Sequence, residues 1–389
     1  MAQSNSQKLA IAFLLVGAFL AGAIYALTRP LHDFVEYWTA GHLLLKHGNP
    51  YSLNEMFREQ QNWGWQERVP LMFLSPPWAL VFIAPLGLTD SYAPAWLLWT
   101  LAMAVVVALS SRLLMDVYFD ELRIPEISDT VFYRCLFGFT FYPILLCFKF
   151  AQTAPLMLLG LAGFLWFGSK NRLVMAGAAL SLTLVKPQLF YLVWIALVFA
   201  SLQQRRWKIL TSAVAATATL TAIALTLDPK VIVQYWELAR GPYAQVIPSG
   251  ITAGLRRLLG GSAFWIQLIP PCIGLVWFAW YWRQHRLNWS WRERMPTLVT
   301  ISVLTSAYGW IFDETVLVLP IIAMAAKAAT PTGSLPKKAI VVYSVLNCIL
   351  MLVMGYPPVA FLPAPVFIAV LLWQQGKTAT PLIVPVLAK

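Results

Sequence analysis

A chain of 389 residues that is 59% hydrophobic and only 11% charged is too apolar for a soluble globular domain. These proportions belong to a chain of membrane-spanning helices, which excludes a secreted disulfide scaffold and a cytosolic enzyme. A formal charge of +12 would suggest nucleic acid in a soluble protein; here basic cytoplasmic loops account for it, and no nucleic-acid partner is expected.

The first apolar run, 9–29, reads as an uncleaved membrane helix; Ala21-Gly22-Ala23 could form a cleavage site, but the run is long for a signal peptide. Polar character then returns in "HDFVEYWTAGHLLLKHGNPY", residues 32–51. Asp33 and Glu36 have the spacing of a capping box, an acid at the N-cap with Glu at N3. The pattern predicts a helix running to about His47 and stopping at Gly48, with Pro50 beyond. Phe34, Tyr37, Trp38, Gly41 and Leu44 share one face, so this helix is expected to lie in the membrane interface. The segment 72–88 follows, with Ser75-Pro76-Pro77 at its start and Pro85 near its end. It is expected to be re-entrant or in-plane rather than a simple crossing.

Further apolar runs lie near 94–115, 131–149, 153–169, 173–186, 188–202, 208–227, 264–282, 296–312, 314–326, 339–355 and 358–373. Several are shorter than the roughly 20 residues of a full span. With 26 prolines in the chain, some must be broken helices, tolerated only inside protein or beside a cavity. The four cysteines, Cys135, Cys147, Cys272 and Cys348, fall in apolar stretches and suggest neither a disulfide frame nor a zinc site. No repeat or long linker divides the chain, so residues 1–389 read as one membrane domain.

Basic loops at 169–172, 203–208, 283–294 and 327–338 alternate along the chain, which puts them in the cytoplasm. The outward connections are then 30–71, 150–155, 186–188, 228–262, the break near 306–314, and 355–358. Asp33, Glu36, Gln152, Lys186, Gln188, Arg256, Arg257, Asp313 and Glu314 all fall on that outer side. Far apart in sequence, they collect on one face as the residues of an outer-leaflet site would.

Lys186 sits between two apolar runs and precedes Pro187. It reads either as a lysine snorkelling to water or as the partner of an anion. Arg256 and Arg257 run against the positive-inside trend, which suits phosphate binding or anionic lipid headgroups. Asp313 interrupts an apolar stretch and could bind an acceptor hydroxyl, orient Lys186, or form a structural ion pair. His42 and His47 lack helical i, i+3 or i+4 spacing, no DxD follows, and there is no GxxxxGK[ST]; no metal and no cofactor are expected.

Asp33-Phe34, Tyr37-Trp38-Thr39-Ala40 and Gly48-Asn49-Pro50-Tyr51 together resemble the first-loop signature of glycosyltransferase family 87. Ser75-Pro76-Pro77, Gln152, Lys186-Pro187-Gln188 and Ser306-Ala307-Tyr308 with Phe312-Asp313 resemble later motifs of that family, in order. Ala151 stands where the family has a glycine before the glutamine. The resemblance implies an all-α polytopic membrane protein of the GT-C fold with about 12 transmembrane helices. It also implies transfer of a hexose, mannose first, from a polyprenyl-phosphate-linked donor to a lipid or glycan acceptor. The expected setting is the periplasmic face of a bacterial inner membrane. In that reading Asp33 is the base, and Lys186 with Arg256 or Arg257 holds the donor phosphate. Glu36, Gln152, Gln188, Tyr308 and Asp313 line the sugar or acceptor cavity. A transporter of an anionic lipid or sugar, and a polymerase or ligase using a diphosphate-linked donor, are the competing readings.

Overall fold

The computed structural model describes residues 33–119, 127–241, 264–330, 335–353 and 361–378, together with Arg256 and Leu259. The predicted helix 9–29 and Arg257 lie outside the described residues. The described elements are helical, with no extended strand among them. Among the described residues, two helices are long and apolar enough to cross a membrane alone: α3 (Tyr92–Tyr118) and α9 (Trp207–Leu227). Shorter helical pieces include Pro77–Leu88, α4 (Ile127–Phe139), α6 (Ala154–Ser169), α7 (Leu173–Leu180) with its 3-10 continuation to Val185, α8 (Tyr191–Gln204) and α11 (Ile269–His285). Leu98, Leu101, Val105 and Leu109 on α3, and Val214 and Ile223 on α9, are exposed. A contiguous apolar surface of that kind belongs against hydrocarbon rather than water.

The first described helix, α1 (Phe34–Leu45), departs from three expectations. Asp33 has helical dihedrals, φ −46° and ψ −28°, and its side chain makes no capping hydrogen bond. A capping side chain needs an extended backbone to fold back onto the first turn, so the capping-box pattern is not realised. The helix ends at Leu45, and His47 rather than Gly48 takes the left-handed conformation (φ 57°), with the Gly48 amide donating to the Leu43 carbonyl at 2.8 Å. Nor does α1 lie along an interface, for Phe34 to Leu44 are buried except Glu36. Gly41 explains the close packing: a Cβ there would sit 2.6 Å from the Ile83 carbonyl oxygen. Without that Cβ, α1 rests directly on the Pro77–Leu88 segment, and the Trp38 indole donates to Thr89 Oγ1 at 2.9 Å.

Pro77–Leu88 is a chain of short 3-10 and α turns, far below the length of a span, as its prolines predict. Ahead of it, α2 (Leu53–Asn62) starts at Ser52, whose hydroxyl accepts from the Glu55 amide. Gln60 on α2 grips Leu71 twice, donating to its carbonyl at 2.7 Å and accepting from its amide at 3.0 Å. Tyr51 donates to the Ser75 carbonyl at 2.9 Å. These bonds fix residues 70–76 as one wall of a cavity.

The opposite wall comes from three helix breaks. Between α5 (Tyr142–Phe150) and α6, Ala151 takes φ 49° and ψ 48°, and the Gln152 amide closes the turn on the Cys147 carbonyl at 2.9 Å. After α7, Lys186 leaves helical geometry (φ −137°) ahead of Pro187. After α12 (Trp291–Leu304), the chain runs irregularly to Trp310 before the 3-10 turn Ile311–Leu317 and α13 (Val318–Ala328).

Candidate active site

Asp33, Glu36, Tyr37, Gln152, Lys186, Gln188 and Tyr308 all line one cavity of about 420 Å³. The first three come from the start of α1, Gln152 from the α5–α6 break, and the others from the two later breaks. Six sequence-selected polar residues, from positions spread over more than 270 residues, meet in one place. Sequence reasoning missed Tyr37 and Tyr235 as lining residues, along with Ser75, Trp310 and Phe312, which serve it only as motif neighbours.

The cavity has an acidic and a basic side. On the acidic side, burial pushes Asp33 above the usual carboxylate range, opposed by a hydrogen bond that its carboxylate accepts from its own backbone and by the Lys186 charge. Burial, reinforced by the neighbouring Asp33 charge, pushes Glu36 up to about 8. A helix N-terminus favours an ionised carboxylate; at Asp33 desolvation outweighs that and favours the neutral form. Tyr37 donates to Gln152 Oε1 at 2.6 Å, joining α1 to the α5–α6 break. The Trp99 indole holds that break from behind, donating to the Ala151 carbonyl at 2.8 Å.

On the basic side, Lys186 Nζ donates to Asp313 Oδ1 at 2.7 Å and lies 5.1 Å from the Phe312 ring centroid. Asp313, expected in the lining, is instead fully buried behind Lys186, and its other oxygen accepts from the Trp310 amide at 3.0 Å. Of the readings open for Lys186, snorkelling to water does not describe it: the ammonium is held by a buried carboxylate at the cavity wall. A lysine so placed keeps two further N–H donors for an anion. The Trp310 indole donates to the Tyr308 hydroxyl at 2.9 Å, which fixes Tyr308 at the rim. Arg256 is buried but does not line this cavity. Glu314, also fully buried, has no hydrogen-bond partner for either carboxyl oxygen among the described residues and stays off the lining.

Beside the basic wall, an apolar groove of about 430 Å³ runs along α9 between Ala213 and Leu225, with Leu184 and Trp194 on its other edge. Leu184 lies two residues before Lys186, and its carbonyl accepts from the Trp78 indole at 2.9 Å. The twelve helical rises from Ala213 to Leu225 cover about 18 Å, close to the depth of one leaflet. A polar cavity with paired carboxylates and a fixed cation therefore adjoins a lipid-sized groove.

A model of glycosyltransferase family 87 matches residues 73–320, well over half of the chain. The chain belongs to that family. Neither a curated protein nor a solved structure matches it. The family 87 match takes in Gln152, Lys186, Gln188, Tyr308 and Asp313 and begins after α1. Asp33, Glu36 and Tyr37 thus stand upstream of the matched residues, joined to them by the cavity itself.

Proposed function

We propose that this glycosyltransferase moves a hexose, mannose being the first candidate, from a polyprenyl-phosphate donor to a lipid or glycan acceptor. The setting is the periplasmic side of a bacterial inner membrane, and the frame is a GT-C fold of about 12 spans including broken ones. The observation carrying this reading is the convergence of Asp33 and Lys186 on one cavity, next to the groove along α9.

In this mechanism the donor tail lies in the groove and its phosphate meets Lys186. The bond between sugar C1 and the phosphate oxygen breaks first, through an oxocarbenium-like transition state. The departing polyprenyl phosphate keeps the electron pair, and Lys186, oriented by Asp313, stabilises that charge. The acceptor hydroxyl attacks C1 from the opposite face, and Asp33 takes its proton, so the anomeric configuration inverts. Glu36, Gln152, Gln188 and Tyr308 supply hydrogen bonds to sugar or acceptor hydroxyls. Arg256 and Arg257 are second candidates for a phosphate role.

Purified protein in lipid nanodiscs, incubated with a panel of polyprenyl-phosphate hexoses, should release polyprenyl phosphate and form a glycosylated product. Turnover only with diphosphate-linked donors would replace this reading with a polymerase or ligase. Movement of intact donor between leaflets without cleavage would replace it with a transporter.

A further inference from the structure

The helix α10 (Val231–Arg240) follows α9 after three residues, with the Lys230 amide donating to Asp228 Oδ1 at 2.9 Å. Because α9 is 21 residues long, it spans about 31 Å, the thickness of the hydrocarbon layer. Its end at Leu227 therefore marks one boundary of that layer, the outer one in the topology expected from the basic loops, and α10 begins at headgroup depth.

At about 100° per residue, α10 divides into three sectors. Val231 and Leu238 are buried, and Tyr235 between them lines the cavity, its ring 5.4 Å from that of Tyr51. Lys230, Gln234 and Glu237 form a polar edge. The third sector carries Val233 and Trp236, 59% and 55% exposed, with the Arg240 guanidinium 5.8 Å from the Trp236 ring centroid. Exposed aliphatic and indole surface beside an arginine matches the chemistry of the layer where acyl chains meet phosphates.

We propose that α10 is an interfacial helix: its Val233–Trp236–Arg240 stripe lies among the phospholipid headgroups of the outer leaflet and thereby holds Tyr235 in the cavity wall. Tyr235 is then a positioning residue, coupling membrane contact to the shape of the donor pocket. The pocket half of this inference rests on the glycosyl-transfer reading; the membrane half does not.

Depth can be read without any turnover. Spin labels on V233C and E237C, in nanodiscs of phosphatidylcholine and phosphatidylglycerol, would be relaxed with oxygen and with a water-soluble nickel chelate. The V233C label should favour oxygen and the E237C label the chelate. Equal chelate access at both positions overturns the membrane half. In the transfer assay, W236A and R240Q should each raise the donor KM about tenfold with kcat kept within about twofold, and Y235A should do the same. A fall in kcat at unchanged KM, or no change in either constant, overturns the positioning role. If no donor is turned over at all, the proposed function fails while the depth measurement still decides the placement of α10.

Discussion

Two short helices contribute to the cavity from outside the long spans, and they are built in opposite ways. Ten of the twelve residues of α1 are buried, whereas α10 buries two of its ten. α1 is packed through Gly41 onto the Ile83 carbonyl and joined by Tyr37 to Gln152. α10 meets the cavity mainly through Tyr235 and turns Trp236 outward. A carboxylate that must meet a reacting hydroxyl within a fraction of an ångström needs the first kind of support. A wall that admits a lipid-linked substrate can use the second. Chemistry is therefore expected to depend on α1, and substrate entry on α10.

The sharpest way to break this comparison is D33N. Since Asp33 makes no capping bond, asparagine removes the proposed base without removing a helix cap. Turnover should fall by about 10²–10⁴-fold, the usual range for general acid–base catalysis, with donor affinity kept. A D33N enzyme with near-normal kcat would move the base away from α1 and undo the division of labour between the two helices.

The next effect concerns stability rather than rate. Removing one partner of a buried ion pair leaves the other charge uncompensated and costs about 3–5 kcal/mol. K186A should therefore lower the thermal midpoint in nanodiscs markedly, because Asp313 is fully buried. K186M/D313N restores an apolar stem and a neutral acceptor for the Trp310 amide, and should regain most of that loss. If Lys186 also holds the donor phosphate, the stable double variant will still be inactive. Full activity in the double variant would make the pair purely structural.

Particular residues explain what could be read in advance. Lys186 and Asp313 were legible because a charge within an apolar run is costly without a reason, although they are 127 positions apart. The burial of α1 was not legible, because its partner Ile83 comes from a later segment whose path the local pattern does not define. The Asp33–Glu36 spacing pointed to a cap because capping is a local rule, while desolvation of Asp33 is set by the whole cavity. Tyr235 carried no signal, since a tyrosine in a loop expected to face outward looks like any interfacial aromatic.

A pH profile sharpens the role of the acidic side. Burial favours the neutral form of Asp33, so the active carboxylate is gained as pH rises through a value above the ordinary carboxylate range and lost as pH falls. Glu36, raised to about 8, remains protonated near neutrality and ionises only above that value. Plots of kcat/KM from about pH 5 to 9 should show an acidic limb from Asp33 and a second inflection near 8. E36Q should remove the upper inflection and keep the acidic limb, with a modest change in rate. Loss of the acidic limb instead would exchange the roles of the two carboxylates.

The smallest expected effect tests the rigid support behind α1. Ala151 holds φ 49° and ψ 48°, a left-handed conformation that costs a residue with a Cβ about 1–2 kcal/mol. Glycine would relieve that strain but would lose about 0.5–1 kcal/mol through greater freedom of the unfolded chain. The net gain for A151G should be about 0.5 kcal/mol, seen as a small rise in thermal midpoint. A151V, with a β-branched side chain at the same dihedrals, should instead destabilise by more than glycine stabilises. The position also carries Gln152 into the cavity, where Tyr37 holds it from α1. A151V should therefore disturb kcat as well as stability, while A151G leaves kcat unchanged. If A151V were as active as the parent enzyme, the turn would be only a link between α5 and α6, and the precision ascribed to α1 would have to come from Gly41 and Trp38 alone.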